Sequence, residues 1–286
     1  MIDAFSRAGL DSPRLMAEML VAHALGCARL DLYTHADREA SEQDRARLRD
    51  LAARALRHEP VQYLVGEAWF FSLPFACDPR ALIPRPSTET VVDEALRFVR
   101  STPGFGGWRG DGATIADICT GSGVIAISLL KQLPGARAAA CDISPDALAL
   151  ARQNAERHAV LDRLDLLQGD LLAPLDAHPI ATGGLHVIAA NPPYIPDEEW
   201  PAVPRNVKGF EPEMALRGGA GGLRLVAPLI ERAPAMLKPG GLLLIEIAMS
   251  SADAVLALAS GRPDLTEPRI VSDSDGLPRV LWARRA

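Results

Sequence analysis

Apolar residues recur at helical spacing over roughly the first sixty positions and in short continuous runs beyond residue 114. In the first stretch Ser12 and Pro13 mark a helix start, Leu15, Met19, Ala22 and Leu25 form one stripe, and Gly26 stops it. Ser41 opens a second helix through Leu48, Leu51 and Leu56 that ends before Pro60. Charged residues fill the opposite faces, so the apolar faces need a partner, and a helical domain is expected over residues 1–62. It carries no chemical group of note; its expected use is to hold a macromolecular substrate, with a purely structural cap as the alternative. Residues 68–71 and 75–77, around Ser72-Leu73-Pro74, read as a hairpin in a linker over 63–85. A proline-locked turn over 82–89 follows, from which Ser87 or Thr88 is expected to cap a helix over 89–100, and 101–112 is a loop.

From Thr114 the pattern alternates. Apolar strands are predicted over 114–118, 137–141, 164–168, 185–190 and 241–247, with helices over 124–133, 145–158 and 223–237. That order predicts an α/β fold, a parallel sheet with crossover helices, as a catalytic domain over 86–286. Runs at 267–271 and 279–283 are expected to add a closing antiparallel pair. No internal repeat is present.

Composition narrows the function. The 286 residues are 48% apolar and 23% charged, the profile of a soluble globular protein with one large domain or two smaller ones. A net charge of −6 argues against non-specific nucleic-acid binding, which needs a basic surface, and no direct nucleic-acid partner is expected. Charges interrupt the first seven residues and no apolar run reaches 18, so neither secretion nor a membrane span is expected. The four cysteines lack C-x-x-C spacing and the six histidines lack a ligand pattern. A reduced, metal-free, cytoplasmic protein is the expectation.

The chemistry gathers at strand ends. The first strand ends in Asp117-Ile118-Cys119-Thr120-Gly121-Ser122-Gly123, a turn whose glycines let a ligand approach the main chain at a helix N-terminus. Asp142, ending the second strand, suits a ribose diol; Asp170 and Leu171, after the third, suit an adenine amino group and ring. Gly121-Ser122-Gly123-Val124-Ile125-Ala126 with Asp142 about twenty residues on also satisfies the nicotinamide dinucleotide fingerprint, which makes a dehydrogenase a competing reading. Asp117, Asp170 and Asn191 at successive strand ends favour S-adenosylmethionine, which uses all of them. Cys119 and Cys141 read as small core residues, since nothing basic beside them in sequence would activate a thiol.

After the strand over 185–190 comes Asn191-Pro192-Pro193-Tyr194. The prolines fix the turn and remove two donors, leaving acceptors suited to a planar NH2 group and Tyr194 as a flat wall. Such a turn would equally grip an adenine amino group flipped from DNA. That alternative needs a basic target-recognition domain, which the acidic composition and the length disfavour. A non-catalytic module is disfavoured because the glycine turn and Asn191 are both present.

These residues carry a resemblance. Pro60-Val61-Gln62-Tyr63-Leu64-Val65-Gly66-Glu67, Leu82-Ile83-Pro84-Arg85-Pro86-Ser87-Thr88-Glu89, the turn from Asp117 to Gly123, Asn191-Pro192-Pro193-Tyr194-Ile195, Phe210-Glu211-Pro212 with Ala215-Leu216, and Leu237-Lys238-Pro239-Gly240-Gly241 stand in one order. The chain from about Pro60 resembles the HemK/PrmC family of protein glutamine methyltransferases. The resemblance implies a class I S-adenosylmethionine-dependent methyltransferase of seven strands behind a helical domain, acting on the glutamine amide of the Gly-Gly-Gln motif in peptide chain release factors. It implies cofactor contacts from Asp117, Cys119, Thr120, Gly121, Ser122, Gly123, Asp142, Asp170, Leu171 and Asn191. Arg85, Glu89, Asn191, Pro192, Pro193 and Tyr194 would meet the substrate, with Asn191, Pro192 and Tyr194 catalytic. Cys119, Ser87 and Ala248 depart from the family's usual Gly, Glu and Gly. Cys119 and Glu67-Ala68-Trp69-Phe70 are more similar to the PrmB-like enzymes that methylate a large-subunit ribosomal protein, whereas Pro86 and the tail Asp275-Gly276-Leu277-Pro278-Arg279-Val280 are similar to the release-factor branch, the preferred one.

Overall fold

The computed structural model describes residues 1–34 and 39–286. Helices α1 (Ile2–Arg7), α2 (Pro13–Leu25), α3 (Asp31–Thr34), α4 (Glu42–Ala55) and α5 (Val61–Val65) form the N-terminal part, packed around Phe5, Leu20, Leu51, Ala55, Val61 and Leu64. Ser41 starts α4 through a capping box: its hydroxyl accepts from Asp44 N, while the Asp44 carboxylate accepts from Ser41 N. Ser12 does not cap α2. It sits in the left-handed region with no side-chain hydrogen bond, so Pro13 and the Gly26 stop define that helix. The short helix α5, begun after Pro60, was not expected.

The hairpin is β1 (Glu67–Phe70) with β2 (Leu73–Ala76), and α6 (Glu89–Ser101) follows the proline turn. Then come β3 (Thr114–Ile118), α7 (Val124–Gln132), β4 (Arg137–Asp142), α8 (Pro145–Arg157), β5 (Leu164–Gln168) and β6 (Leu185–Ala190). Beyond the Asn-Pro-Pro-Tyr turn lie β7 (Ile195–Pro196), α9 (Arg205–Lys208) and β8 (Arg217–Gly219), then α10 (Val226–Met236), β9 (Leu237–Glu246), α11 (Ala252–Ser260), β10 (Leu265–Ser272) and β11 (Pro278–Arg285). Helix α11 and the small parallel pair of β7 with β8 were not foreseen, and α10 starts three residues later than predicted.

The main sheet has seven strands in the order β10-β11-β9-β6-β3-β4-β5. Strand β11 runs antiparallel to both its neighbours; the other pairings are parallel. Its central strands are buried on both faces, which is why they read as apolar runs with no alternation. One face packs on α6 and α7 through residues such as Val92, Ile127 and Leu129, the other on α10 and α11 through Leu229, Ile230 and Val255. The chain steps outward from β3 to β5, then returns to β6 on the other side of β3. That reversal opens a crevice at the C-terminal ends of β3 and β6, where doubly wound sheets bind ligands.

Candidate active site

The crevice holds a cavity of about 580 Å3. Cys119, Thr120, Gly121, Ser122, Asp142, Asp170, Leu171, Asn191, Pro193 and Arg85 line it. A second cavity of about 490 Å3 adjoins it and shares Leu82, Arg85, Asn191 and Ala215, with Tyr194 and Arg279 in its own wall. Asn191 therefore stands between the two spaces, and its turn follows directly from the end of β6.

The glycine turn is held from below. Asp117, fully buried, accepts at Oδ2 from the Thr120 hydroxyl at 2.6 Å and from Ala126 N at 3.0 Å, while its Oδ1 has no hydrogen-bond partner among the described residues. Burial pushes its carboxyl up to about 7. Asp117 lines neither cavity, so its observed part is to brace the turn that does. Gly123 is likewise outside the lining. A side chain there would bring a Cβ to 2.8 Å from Ile127 and 3.2 Å from Ala151, so glycine is what lets α7 approach α8.

Asp142 ends β4 with both carboxylate oxygens fixed by main-chain donors, Oδ2 by Gly121 N and Oδ1 by Ser144 N, each at 2.9 Å. Burial raises its pKa despite those bonds. Ser144 also caps α8, accepting from Ala147 N, and so aims Asp142 from the other side. Asp170 is exposed at the rim, and Ile143 and Leu171 supply apolar walls. The arrangement fits an adenosine: a pre-aimed carboxylate for the diol, apolar walls for the base, and a volume in the usual range for small-molecule sites. Cys119 adopts φ +59°, a left-handed backbone that glycine accepts more readily, and burial keeps its thiol well above the ordinary range.

The turn at Asn191 is cross-braced by groups distant in sequence. Asn191 Nδ2 donates to Thr88 Oγ1 at 3.0 Å, and the Tyr194 hydroxyl donates to Glu246 Oε1 at 3.0 Å. Burial and the Glu246 carboxylate raise the Tyr194 pKa, so the phenol stays protonated. Pro192 is buried and lines neither cavity, and no described amide donates to its carbonyl. Ser87 and Thr88 do not cap α6, contrary to expectation: the Ser87 hydroxyl donates to Glu246 at 3.1 Å, and Thr88 takes the Asn191 amide.

Of the two expected substrate-facing charges, only Arg85 reaches the cavities. It forms an ion pair with Glu211, whose Oε2 also accepts from Ile83 N at 3.0 Å, fastening the proline turn to the loop before β8. Glu89 lines neither cavity; its Oε1 accepts from Phe71 N at 2.7 Å and holds the hairpin turn, where Phe71 and Ser72 both have positive φ. Three residues to which the sequence reading gave no role matter here: Glu211, part of the Phe210-Glu211-Pro212 motif, and Glu246 and Asn154, which it passed over. Buried Asn154 on α8 accepts from Ala76 N at 2.7 Å and donates to Ser122 O at 3.0 Å, tying the hairpin to the glycine turn.

Known proteins place this arrangement. Residues 1–66 match the model of the PrmC N-terminal domain, and residues 115–209 match that of a methyltransferase domain. The chain is 37% identical to the release factor glutamine methyltransferase of Geobacter sulfurreducens, over 96% of this chain and 91% of that one. It is 38% identical to the enzyme of the same name in Rhodopirellula baltica, over 99% and 93%. A solved methyltransferase from Pyrococcus furiosus, 16% identical, covers 82% of this chain and 98% of its own at a TM-score of 0.51, which bears on the fold alone. With whole-length relatives at this identity, the chain belongs to the release factor glutamine methyltransferase family, S-adenosylmethionine-dependent enzymes of the class I fold.

Proposed function

We propose that this protein methylates the side-chain amide nitrogen of the glutamine in the Gly-Gly-Gln motif of peptide chain release factors, in the cytoplasm where translation terminates. The observation that carries the reading is the position of Asn191, shared by the adenosine-sized cavity and the neighbouring cavity walled by Tyr194. Bound in the first cavity, S-adenosylmethionine supplies an activated methyl group. An amide nitrogen is a poor nucleophile because its lone pair is delocalised, so the protein's task is positioning and electrostatics. With Asn191 Nδ2 occupied by Thr88, Oδ1 is left to accept one amide hydrogen, and the Pro192 carbonyl accepts the other. Both bonds strengthen as positive charge develops on nitrogen, which is the differential binding that catalysis requires. Tyr194 packs against the amide plane. Its raised pKa denies it the part of a base, so the amide proton leaves to water.

The helical part, joined to the catalytic part through Tyr63 and Ala81, is proposed to dock the body of the release factor. Among the described residues no helix is long and apolar enough to cross a membrane. The test is mass spectrometry of peptides from a release factor incubated with enzyme and S-adenosylmethionine, beside large-subunit ribosomal proteins and duplex DNA. A single added methyl on the Gly-Gly-Gln glutamine supports the reading. Methyl transfer to the ribosomal protein or DNA alone would overturn it.

A further inference from the structure

Among the described residues, the hairpin of β10 and β11 meets the second cavity at one residue, Arg279. Asp273, whose side chain is 5% exposed, knits the loop of that hairpin: its Oδ1 accepts from Asp275 N at 3.0 Å and Leu277 N at 2.9 Å, and its Oδ2 from Arg279 Nε at 3.2 Å. The Arg279 carbonyl accepts from Ile247 N at 2.9 Å, which fixes the residue beside the end of β9. The guanidinium is thus held at Nε and through its own main chain, and its two terminal nitrogens make no hydrogen bond among the described residues. Its positive charge acts on Tyr194, in the same cavity wall. The other side-chain donors of that wall are engaged, in whole or, for Arg85, in part. The Tyr194 hydroxyl donates to Glu246, that of Ser250 to Glu199 and Asn191 Nδ2 to Thr88, while Arg85 pairs with Glu211. Most of the remaining lining is apolar, Ile195, Val203, Val207 and Met249 included.

We propose that Arg279 is a substrate-binding residue, donating from its terminal nitrogens to a main-chain carbonyl of the peptide segment that carries the methylated glutamine. With the cofactor in the first cavity, the glutamine reaches Asn191 from the second, so the chain on either side of it enters a largely apolar space. Each carbonyl it brings there leaves water, and a buried carbonyl without a donor is destabilising. Arg279 supplies donors where those of its neighbours are engaged. Its planar, rigid fork lets Nε stay on Asp273 while the terminal nitrogens serve a second acceptor, which a lysine with its single nitrogen does less well. Glycines beside the glutamine suit the same wall: lacking side chains, they leave their carbonyls open to close approach. The ion pair with Asp273 offsets the charge of Arg279, which favours a neutral carbonyl over a carboxylate as its partner. This inference rests on the reading that the glutamine of a release factor is the group methylated at Asn191.

The test is steady-state methylation of intact release factor at saturating S-adenosylmethionine, in low and in high salt, with cofactor affinity measured by calorimetry on the same samples. Arg279→Met keeps the reach of the side chain and removes its donors. It is expected to raise the KM for release factor about 10- to 100-fold, the range for losing a hydrogen bond from a charged donor. The saturated rate and the cofactor Kd should move less than about threefold, a split that general loosening of the cavity would not produce. The ratio of variant to wild-type KM should be the same in low and high salt, because a carbonyl carries no net charge to be screened. Arg279→Lys keeps the charge but has one nitrogen for two partners, and should raise KM at least about threefold. If Arg279→Met fails to fold, Arg279→Lys decides. A wild-type KM in the deciding variant, beside a slow Asn191→Ala, would overturn this role and leave the reading of Asn191 standing. A KM ratio that collapses toward one in high salt would also overturn it, by giving Arg279 a carboxylate of the release factor as its partner. So would a loss confined to the saturated rate or shared with cofactor affinity, which would make Arg279 a support of the fold. No methylation of release factor by the wild-type protein would overturn the proposed function, and this inference with it.

Discussion

The Tyr63 hydroxyl donates to the Ala81 carbonyl across 2.9 Å, joining the last N-terminal helix to the segment that walls the cofactor cavity. Tyr63 packs with Ala68, Cys77 and Ile83, so the same ring sits where the helical part, the hairpin and that segment meet. Tyr63→Phe keeps the packing and removes one hydrogen bond, worth about 0.5–1.5 kcal/mol net. S-adenosylmethionine Kd is expected to rise about two- to tenfold, with far-ultraviolet circular dichroism unchanged. An unaltered Kd by calorimetry would mean that the cavity wall is held without Tyr63.

Asp142→Ala is expected to weaken S-adenosylmethionine binding more than removal of a simple ligand contact would. Each charge-assisted bond to a ribose hydroxyl is worth about 1.5–3 kcal/mol, and the same carboxylate holds Gly121 N and Ser144 N. Turnover at saturating cofactor should recover in part, since the Asn191 turn is untouched. Calorimetry showing wild-type affinity would place the ribose away from Asp142.

Asp117 predicts a pH dependence of stability in the cofactor-free protein. Its folded pKa, near 7, lies above its unfolded value of about 3.9. Between those values the folded state keeps a proton that the unfolded chain has lost, so Asp117 contributes stability at low pH that is lost as pH rises from about 4 to 7. Thermal melts across that window should show wild type losing stability relative to Asp117→Asn as pH rises. Parallel curves would show that the carboxyl is ionised throughout.

The strands were legible because a parallel sheet buried on both faces leaves continuous apolar runs, and α4 because its capping box lies within four residues. Ser87 and Thr88 do not cap α6, and the reason is physical: sequence shows local partners only, whereas theirs, like that of Glu89, lie elsewhere in the chain. Thr88 in fact serves Asn191, 103 residues away, Ser87 serves Glu246, 159 residues away, and Glu89 reaches back 18 residues to Phe71. Glu246 did leave a trace: it is a lone carboxylate inside Leu242-Leu243-Leu244-Ile245-Glu246-Ile247, a run with no other polar residue. A charge in a fully buried strand demands partners, and that demand points to a site.

The last prediction concerns Asn191→Ala. The substitution removes the one side-chain acceptor that, among the described residues, belongs to the lining of both cavities and, by comparison with deletion of a single oxyanion-hole donor, should lower the turnover number about 10²- to 10³-fold. Cofactor affinity should change far less, because Asp142, the glycine turn and the walls at Ile143 and Leu171 lie on other strand ends. The turn itself should persist, since Pro192 and Pro193 restrict its backbone and the Tyr194–Glu246 bond is independent of position 191. Thr88 loses its donor in the variant, yet its hydroxyl lies beside the enlarged cavity, where water can replace the amide. Single-turnover rates at saturating release factor and cofactor, paired with calorimetric Kd values, separate these effects. A slow variant with near-normal cofactor binding is the expected result; a variant that methylates at the wild-type rate would show that the substrate amide is gripped elsewhere.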